Sequence, residues 1–304
     1  MKKKLLSVTI GIPAYNEENN IGALLRSILK QSNASYELTN IIVASDGSSD
    51  KTVDEIKVIK RPKIKIIYGK NRRGTAFRQN QIIKQTTSDV LVLLNADILI
   101  RDNLFLEQLI KPIHKKVDMV SCLMEPLPAK TFIGNLLNLS VKIKNDAFKI
   151  YKEGSNIYTC RGNARAFSRK LYTNIHFPRS VGEDAYSFLY CLYHGFQYYY
   201  TTDTKAYFRS PENLDDHKRQ SIRFYNSQKL FLKEFGKPFV KSAYSYPPRI
   251  LLLPFLHYFI RYPLHLIMYV IILTFMKVKS IFSSETKETW DIAISSKSLK
   301  FRNG

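Results

Sequence analysis

The sequence predicts an α/β fold built on a mostly parallel, doubly wound sheet. Three observations predict it. Stretches of strand and helix character alternate over the first 85 residues, and a further strand follows. That strand, Val90 to Leu94, is apolar throughout, as a strand covered on both faces should be. The acidic turn Asn95-Ala96-Asp97 comes next, and open α/β sheets hold ligands at the carboxyl ends of such strands.

Each element has its own warrant. Leu6 to Ile12 is β-branched and apolar and reads as the first strand. Pro13 to Asn16 form a turn, and the acids Glu17 and Glu18 suit the helix start that follows. Ile21, Leu24, Leu25 and Ile28 then recur at helical spacing. Asn40 to Ala44 is the second strand, closed by Ser45-Asp46-Gly47-Ser48-Ser49-Asp50, where Asp46 or Asp50 can cap the next helix. Ile64 to Tyr68 is the third strand. The loop 70–74, with Arg72 and Arg73, opens a helix through Phe77 and Ile82. No GxGxxG follows the first strand, which argues against a dinucleotide fold of the usual kind.

Beyond Asp97 the pattern predicts a helix over 104–113, a strand over 117–123 and an amphipathic helix over 131–148. Residues 160–168 read as a strand or a turn entering one. A helix follows from Glu183 and Asp184 to Gly195. Gln197 to Tyr200 and Lys205 to Arg209 read as two short strands, and 211–230 as a loop and a basic helix. Two apolar stretches, 250–260 and 264–276, are separated by Arg261-Tyr262-Pro263. Neither reaches the roughly 20 residues that span a bilayer. They predict helices lying in one membrane leaflet, with a buried hairpin as the other reading. The expected organisation is an α/β domain over 1–230, a membrane-associating helical region over 231–280 and a polar tail over 281–304.

Composition narrows the function. Lys and Arg number 47 against 25 Asp and Glu, a net charge of +22. Such an excess predicts an anionic partner: nucleic acid, a membrane surface or a phosphorylated substrate. No helix-turn-helix or finger pattern gathers the basic residues, so nucleic acid is set aside as a partner. The three cysteines lack metal-site spacing and suit a reducing compartment.

Four loops would converge above the sheet: 13–17, 45–50, 70–78 and 95–97. Acidic and arginine-rich loops side by side are costly unless a ligand joins them, and a nucleoside diphosphate with a metal would. Asp46 can accept from a base N–H, while Arg73 and Arg78 can meet phosphates. Asn95 and Asp97 place two oxygen-bearing side chains toward a divalent cation. Taken singly, each loop is also readable as an ordinary turn or solvated surface.

The ordered set VTIGIPAYNEENNI, VASDGSSDKT, NRRGTAFRQN, LVLLNADILI, GNARAFSRK, GEDAYSFLYCLYHGF and QSIRF resembles family 2 inverting glycosyltransferases of the GT-A fold. The resemblance implies a metal-dependent transfer from a nucleotide sugar, UDP-sugar favoured, to a lipid-linked or glycan acceptor. Mn²⁺ or Mg²⁺ would be held by Asp97 and Asn95, with Ala96 between them at the donor site. Pro13, Tyr15 and Glu17 would line the nucleotide site and Asp46 would bind the base. Asp184 would be the general base, paired with Glu183. Gln220, Arg223 and Phe224 stand where processive relatives carry a Gln-x-x-Arg-Trp motif, with Phe for Trp. Two departures stand out: Asn95 replaces the first acid of the family's Asp-x-Asp motif, and Ser45 stands where many relatives have a further Asp. The implied setting is the cytoplasmic face of the cell membrane, peripheral or monotopic, with an anionic membrane surface as a partner. The aromatic-rich final third is also able to hold a second copy of the chain. The competing readings are a processive polysaccharide synthase, a nucleotidyltransferase, and a non-catalytic membrane or nucleic-acid-binding protein with a transferase-like fold.

Overall fold

The computed structural model describes residues 5–179, 182–281, 295, 297 and 299. The first half alternates as the sequence pattern requires. Strands β1 (Leu6–Ala14), β2 (Tyr36–Ser45), β3 (Ile64–Tyr68) and β4 (Val90–Leu94) are joined by helices α1 (Ile21–Leu29), α2 (Thr52–Val58) and α3 (Thr75–Gln85). All four strands are parallel, in the order β3-β2-β1-β4. Every residue of β4 is buried. Val90, Val92 and Leu94 face one core, while Leu91 and Leu93 face the other. Burying such a side chain contributes about 1.5–3 kcal/mol each, which makes β4 the best-anchored base for the turn that follows it.

The second half extends the same sheet. After the short strand β5 (Ile98–Leu99) and helix α4 (Phe105–Ile110), β6 (Met119–Pro126) leads into α5 (Phe132–Phe148). Thr131 caps α5, its hydroxyl accepting from Gly134 N at 2.9 Å. Next come β7 (Ala164–Ser168), the short α6 (Arg169–Tyr172), α7 (Glu183–Tyr193) and β8 (Tyr198–Phe208). The full order is β3-β2-β1-β4-β7-β6-β8-β5. Strand β7 runs antiparallel to both β4 and β6, so β6 and β4 point the same way and share a carboxyl edge.

Three expectations change. The helix expected over 104–113 stops at Ile110, and Pro112 turns the remainder into a 3-10 helix. The two short strands expected over 197–209 are one strand, β8. Its register against β6 shifts between Cys122, opposite Thr201, and Leu123, opposite Lys205, so the bulging residues between only look like a break. The third correction concerns the C-terminal helices α8 (Leu214–Phe235), α9 (Lys237–Tyr244), α10 (Arg249–Arg261) and α11 (Pro263–Ile281). The expected membrane-associated region is not borne out: among the described residues no helix is long and apolar enough to cross a membrane. The apolar run is divided at Tyr262-Pro263 between α10 and α11, and both pack on α5 instead. Leu266 and Tyr269 join Leu136, Leu137, Leu139 and Ile143 in one buried cluster. The Ser140 and Tyr269 hydroxyls bond at 2.6 Å, and Tyr258 donates to Asp146 at 3.0 Å. The polar tail expected over 281–304 lies outside the described residues except at 281, 295, 297 and 299.

Candidate active site

The four loops meet at the carboxyl edge of β1, β2, β3 and β4. Asp46 N donates to Ala14 O at 2.8 Å, and Gly69 N to Ser45 O at 3.0 Å, which laces the strand ends together. Asp46 is the hub of the arrangement. Its Oδ1 accepts from Arg73 N and from Arg78 Nε, and its Oδ2 from Gly74 N, each at 2.8 Å. Arg78 is buried in this ion pair, and its remaining arms donate to Gln81 Oε1 at 2.7 Å and Asn71 O at 2.8 Å. Its guanidinium is therefore engaged within the protein and holds Asp46, rather than facing a phosphate as the sequence suggested. Gly69 makes room for it: a Cβ there would stand 2.0 Å from Arg78 Nη2. Arg73 lies over the Phe77 ring, with its guanidinium carbon 3.8 Å from the centroid.

Pro13 and Tyr15 stand half-buried at the end of β1. Arg72 stacks on the Tyr15 ring at 4.6 Å. Asn16 takes a left-handed φ of 52°, which an asparagine tolerates, and exchanges bonds with the 45–50 loop through Ser48 and Ser49. Glu17 is buried. Its amide donates to Thr52 Oγ1 at 2.7 Å, and its carboxylate accepts from Asn20 at 2.8 Å. Burial first, and the charge of Asp97 second, push the Glu17 carboxyl up to about 7, with Lys297 opposing them.

Lys297 went unnoticed in the sequence. Its ammonium bonds Glu17 Oε1 at 2.6 Å and also reaches Tyr15 O. Leu299 N donates to Asn20 at 3.2 Å. At the other side, Ser295 donates to Asp216 through its amide and hydroxyl at 2.9 and 2.6 Å. Tail residues thus contact both the β1–α1 turn and the start of α8. A partner some 280 positions away in sequence leaves no local signal.

Asn95, Ala96 and Asp97 close β4, Ala96 buried and the other two half-buried. Asn95 N donates to Asn163 O at 2.9 Å. The neighbouring Gly162 abuts Asp184: a Cβ at Gly162 would lie 3.5 Å from that of Asp184. One loop therefore touches both the acidic turn and the expected base. Asp184 opens α7, with Oδ1 accepting from Ala185 N at 2.8 Å. Glu183 beside it is buried. Beneath them Arg165, fully buried on β7, donates to Glu183 O at 2.7 Å and Ser187 Oγ at 2.6 Å. Arg165 was missed because a lone arginine in a strand reads as surface. Helix α8 is tied to the same turn, since Gly182 N donates to Ser227 Oγ at 2.8 Å. Gln220 lies exposed on α8, and the side chains of Arg223 and Phe224 lie outside the described part.

Among the described residues no three His, Cys, Asp or Glu side chains gather as a ready metal cage. The donor chemistry still fits a hard divalent cation. Mg²⁺-type sites use one or two carboxylates plus substrate phosphates, and Asp97 with Asn95 offers one carboxylate and one amide oxygen.

Comparisons with known proteins bear on the family and the fold. A family model described as "Glycosyl transferase family 2" matches residues 9–175, over half of the 304 residues. The chain is similar to the Escherichia coli UDP-Glc:alpha-D-GlcNAc-diphosphoundecaprenol beta-1,3-glucosyltransferase WfgD, 32% identical over 90 residues, or 30% of this chain and 34% of that one. It is also similar to the poly-beta-1,6-N-acetyl-D-glucosamine synthase of Staphylococcus aureus, 35% identical over 98 residues, 32% of this chain and 23% of that one. The match thus spans about a third or less of these relatives. In fold, the chain resembles the Pyrobaculum calidifontis mannosyltransferase PcManGT in complex with GDP-Man and Mn²⁺, with a TM-score of 0.60 at 17% identity over 93% of this chain and 89% of that one. It also resembles Mycobacterium tuberculosis glucosyl-3-phosphoglycerate synthase in complex with Mn²⁺, UDP and phosphoglyceric acid, with a TM-score of 0.57 at 16% identity over 76% and 79%.

Proposed function

The chain belongs to glycosyl transferase family 2, and from that premise we propose that it moves a sugar from a nucleoside diphosphate sugar to a hydroxyl of a glycan or lipid-linked glycan acceptor. The observation that supports the reading is the Asn95–Asn163 bond, which ties the acidic turn to the loop whose Gly162 abuts Asp184.

On the donor side, Tyr15 and Pro13 offer apolar surface to a base. A carboxylate has about four acceptor positions; three of those on Asp46 are taken by Arg73, Gly74 and Arg78. The position left on Oδ2 suits one N–H of a uracil-type base, which favours a UDP-sugar. Arg73 answers the diphosphate, while Arg78 acts through Asp46 as a positioning residue. A divalent cation held by Asp97 and Asn95 with the diphosphate would supply Lewis-acid neutralisation of the leaving group's charge.

On the acceptor side, Asp184 is the general base. Ala185 N occupies Oδ1, so Oδ2 is the oxygen offered to the acceptor hydroxyl. As that hydroxyl oxygen bonds to the anomeric carbon, its proton passes to Asp184. The bond from carbon to diphosphate oxygen breaks with its electron pair leaving on the diphosphate. A single in-line displacement inverts the configuration. Arg165 fixes the turn of α7 that aims the carboxylate.

Calorimetry of the purified chain with Mn²⁺ against UDP-, GDP- and CDP-sugars tests this reading. The expected result is metal-dependent binding with a UDP-sugar preferred. Absence of binding across the panel would overturn it.

A further inference from the structure

Strand β6 shares its carboxyl edge with β4 and lies two places along the sheet from it, beyond β7. At that edge the chain forms a cavity of about 280 Å³. Pro126, Pro128 and Leu139 give it apolar surface. Asn135, Asn138 and Lys142 line it from one face of α5, and Tyr262 and His265 from the junction of α10 and α11. The α5 spacing of three and four puts those side chains on one stripe.

Its chemistry is particular. Asn138 is 7% exposed, and its Nδ2 donates to Leu127 O at 2.7 Å, which fixes the amide's orientation. Its Oδ1 has no hydrogen-bond partner among the described residues. A buried amide oxygen left unmet is costly; a ligand's O–H or N–H would meet it once the side chain shifts to open that atom to the cavity. Tyr262 and His265 give the lining an aromatic side, backed by Phe132. His265 packs between Phe132, with centroids 5.3 Å apart, and Tyr262, at 6.1 Å. Phe132 and Tyr262 remain 50% and 41% exposed. Apolar surface and ring edges for C–H faces, with amides and one ammonium for hydroxyls, is the composition that recognises a saccharide. The volume of about 280 Å³ lies just below the range of about 300–1,000 Å³ for small-molecule sites, so one ring-sized unit fits better than a chain.

The helix that lines the cavity also leads toward the proposed base. Further along α5, Asn145 accepts from Arg161 Nη2 at 3.0 Å, and Arg161 adjoins Gly162, which abuts Asp184. Asn145 lies seven positions beyond Asn138 on α5, about 10 Å by helical rise.

We propose that this cavity is a second saccharide subsite, holding a sugar unit of the acceptor remote from the one that reacts. The inference rests on the sugar-transfer reading above. Two binding measurements on the full chain separate them. Saturation-transfer NMR is run with methyl glycosides of glucose, galactose, mannose and N-acetylglucosamine and with their short oligosaccharides. Calorimetry with UDP and Mn²⁺ is run on the same samples. At least one saccharide should bind. Tyr262→Ala and His265→Ala should each weaken it by tenfold or more while leaving UDP affinity within twofold. Saccharide binding indifferent to both variants, or absent across the panel while UDP binds, overturns the subsite alone. Saccharide binding that needs Tyr262 while UDP fails to bind strikes the transfer reading and leaves the subsite standing.

Discussion

The donor loops and the C-terminal helices are built in opposite ways. In the donor half, Asp46, Arg78 and Glu17 are all buried, and each is fixed by charged or polar partners at 2.6–2.8 Å. In the C-terminal half, α10 has no fully buried residue, and α11 anchors through Leu266 and Tyr269 against α5. The first region is a set of buried charges that hold one another in place. The second is a lightly seated cover whose outer surface stays exposed, as at Leu253 and Ile260. Fixed dipoles keep a pre-set geometry, whereas a lightly seated element has fewer buried contacts to hold it.

The sharpest way to break this contrast is to remove one half of a buried charge pair. Arg78→Met should leave Asp46 buried without its guanidinium. The expected cost is about 3–5 kcal/mol, seen as a large fall in thermal midpoint together with loss of UDP binding. A midpoint near that of the wild type would mean that the donor loops are not held by this pair.

An intermediate effect concerns pH. The Glu17 carboxyl, raised from its ordinary 4.5 to about 7 by burial and by Asp97, favours the folded state fully below its unfolded value. That contribution is lost as pH rises through about 7. A divalent cation reverses the preference, because it favours the ionised form. Metal-dependent donor affinity should therefore climb by up to about tenfold per pH unit below 7 and level off above it. Glu17→Gln should flatten the climb. Lys297→Ala should move the inflection to higher pH, since Lys297 lowers the Glu17 value. A flat wild-type profile from pH 6 to 8 would remove Glu17 from the donor site.

The smallest effect is expected in the C-terminal helices. Tyr269→Phe deletes the bond to Ser140 and should cost about 1 kcal/mol, read in urea unfolding, with UDP affinity unchanged. A loss as large as that of Arg78→Met would erase the distinction between the two regions.

Much of the donor half was legible in the sequence, because its signals are local. The continuous apolarity of Val90 to Leu94 announces β4 and its burial, and the acidic turn follows within three residues. What remained hidden depends on residues far apart. Arg78 looks like a phosphate ligand from its loop, yet Asp46 draws it inward. Arg165 becomes informative only when β7 carries it beneath α7. The apolar stretches at 250–276 suggest a membrane surface by composition, but the face supplied by α5 satisfies part of them. Periodicity shows that a helix has an apolar side and is silent on what covers it.

The most direct test of the whole account is Asp184→Asn, assayed with the preferred donor and a glycan acceptor and paired with calorimetry of UDP–Mn²⁺. The account predicts that donor affinity stays within a few-fold while transfer falls by about 10²–10⁴. Transfer at the wild-type rate would contradict it, for the carboxylate that the 162–163 loop sets against the acidic turn would then not be the base.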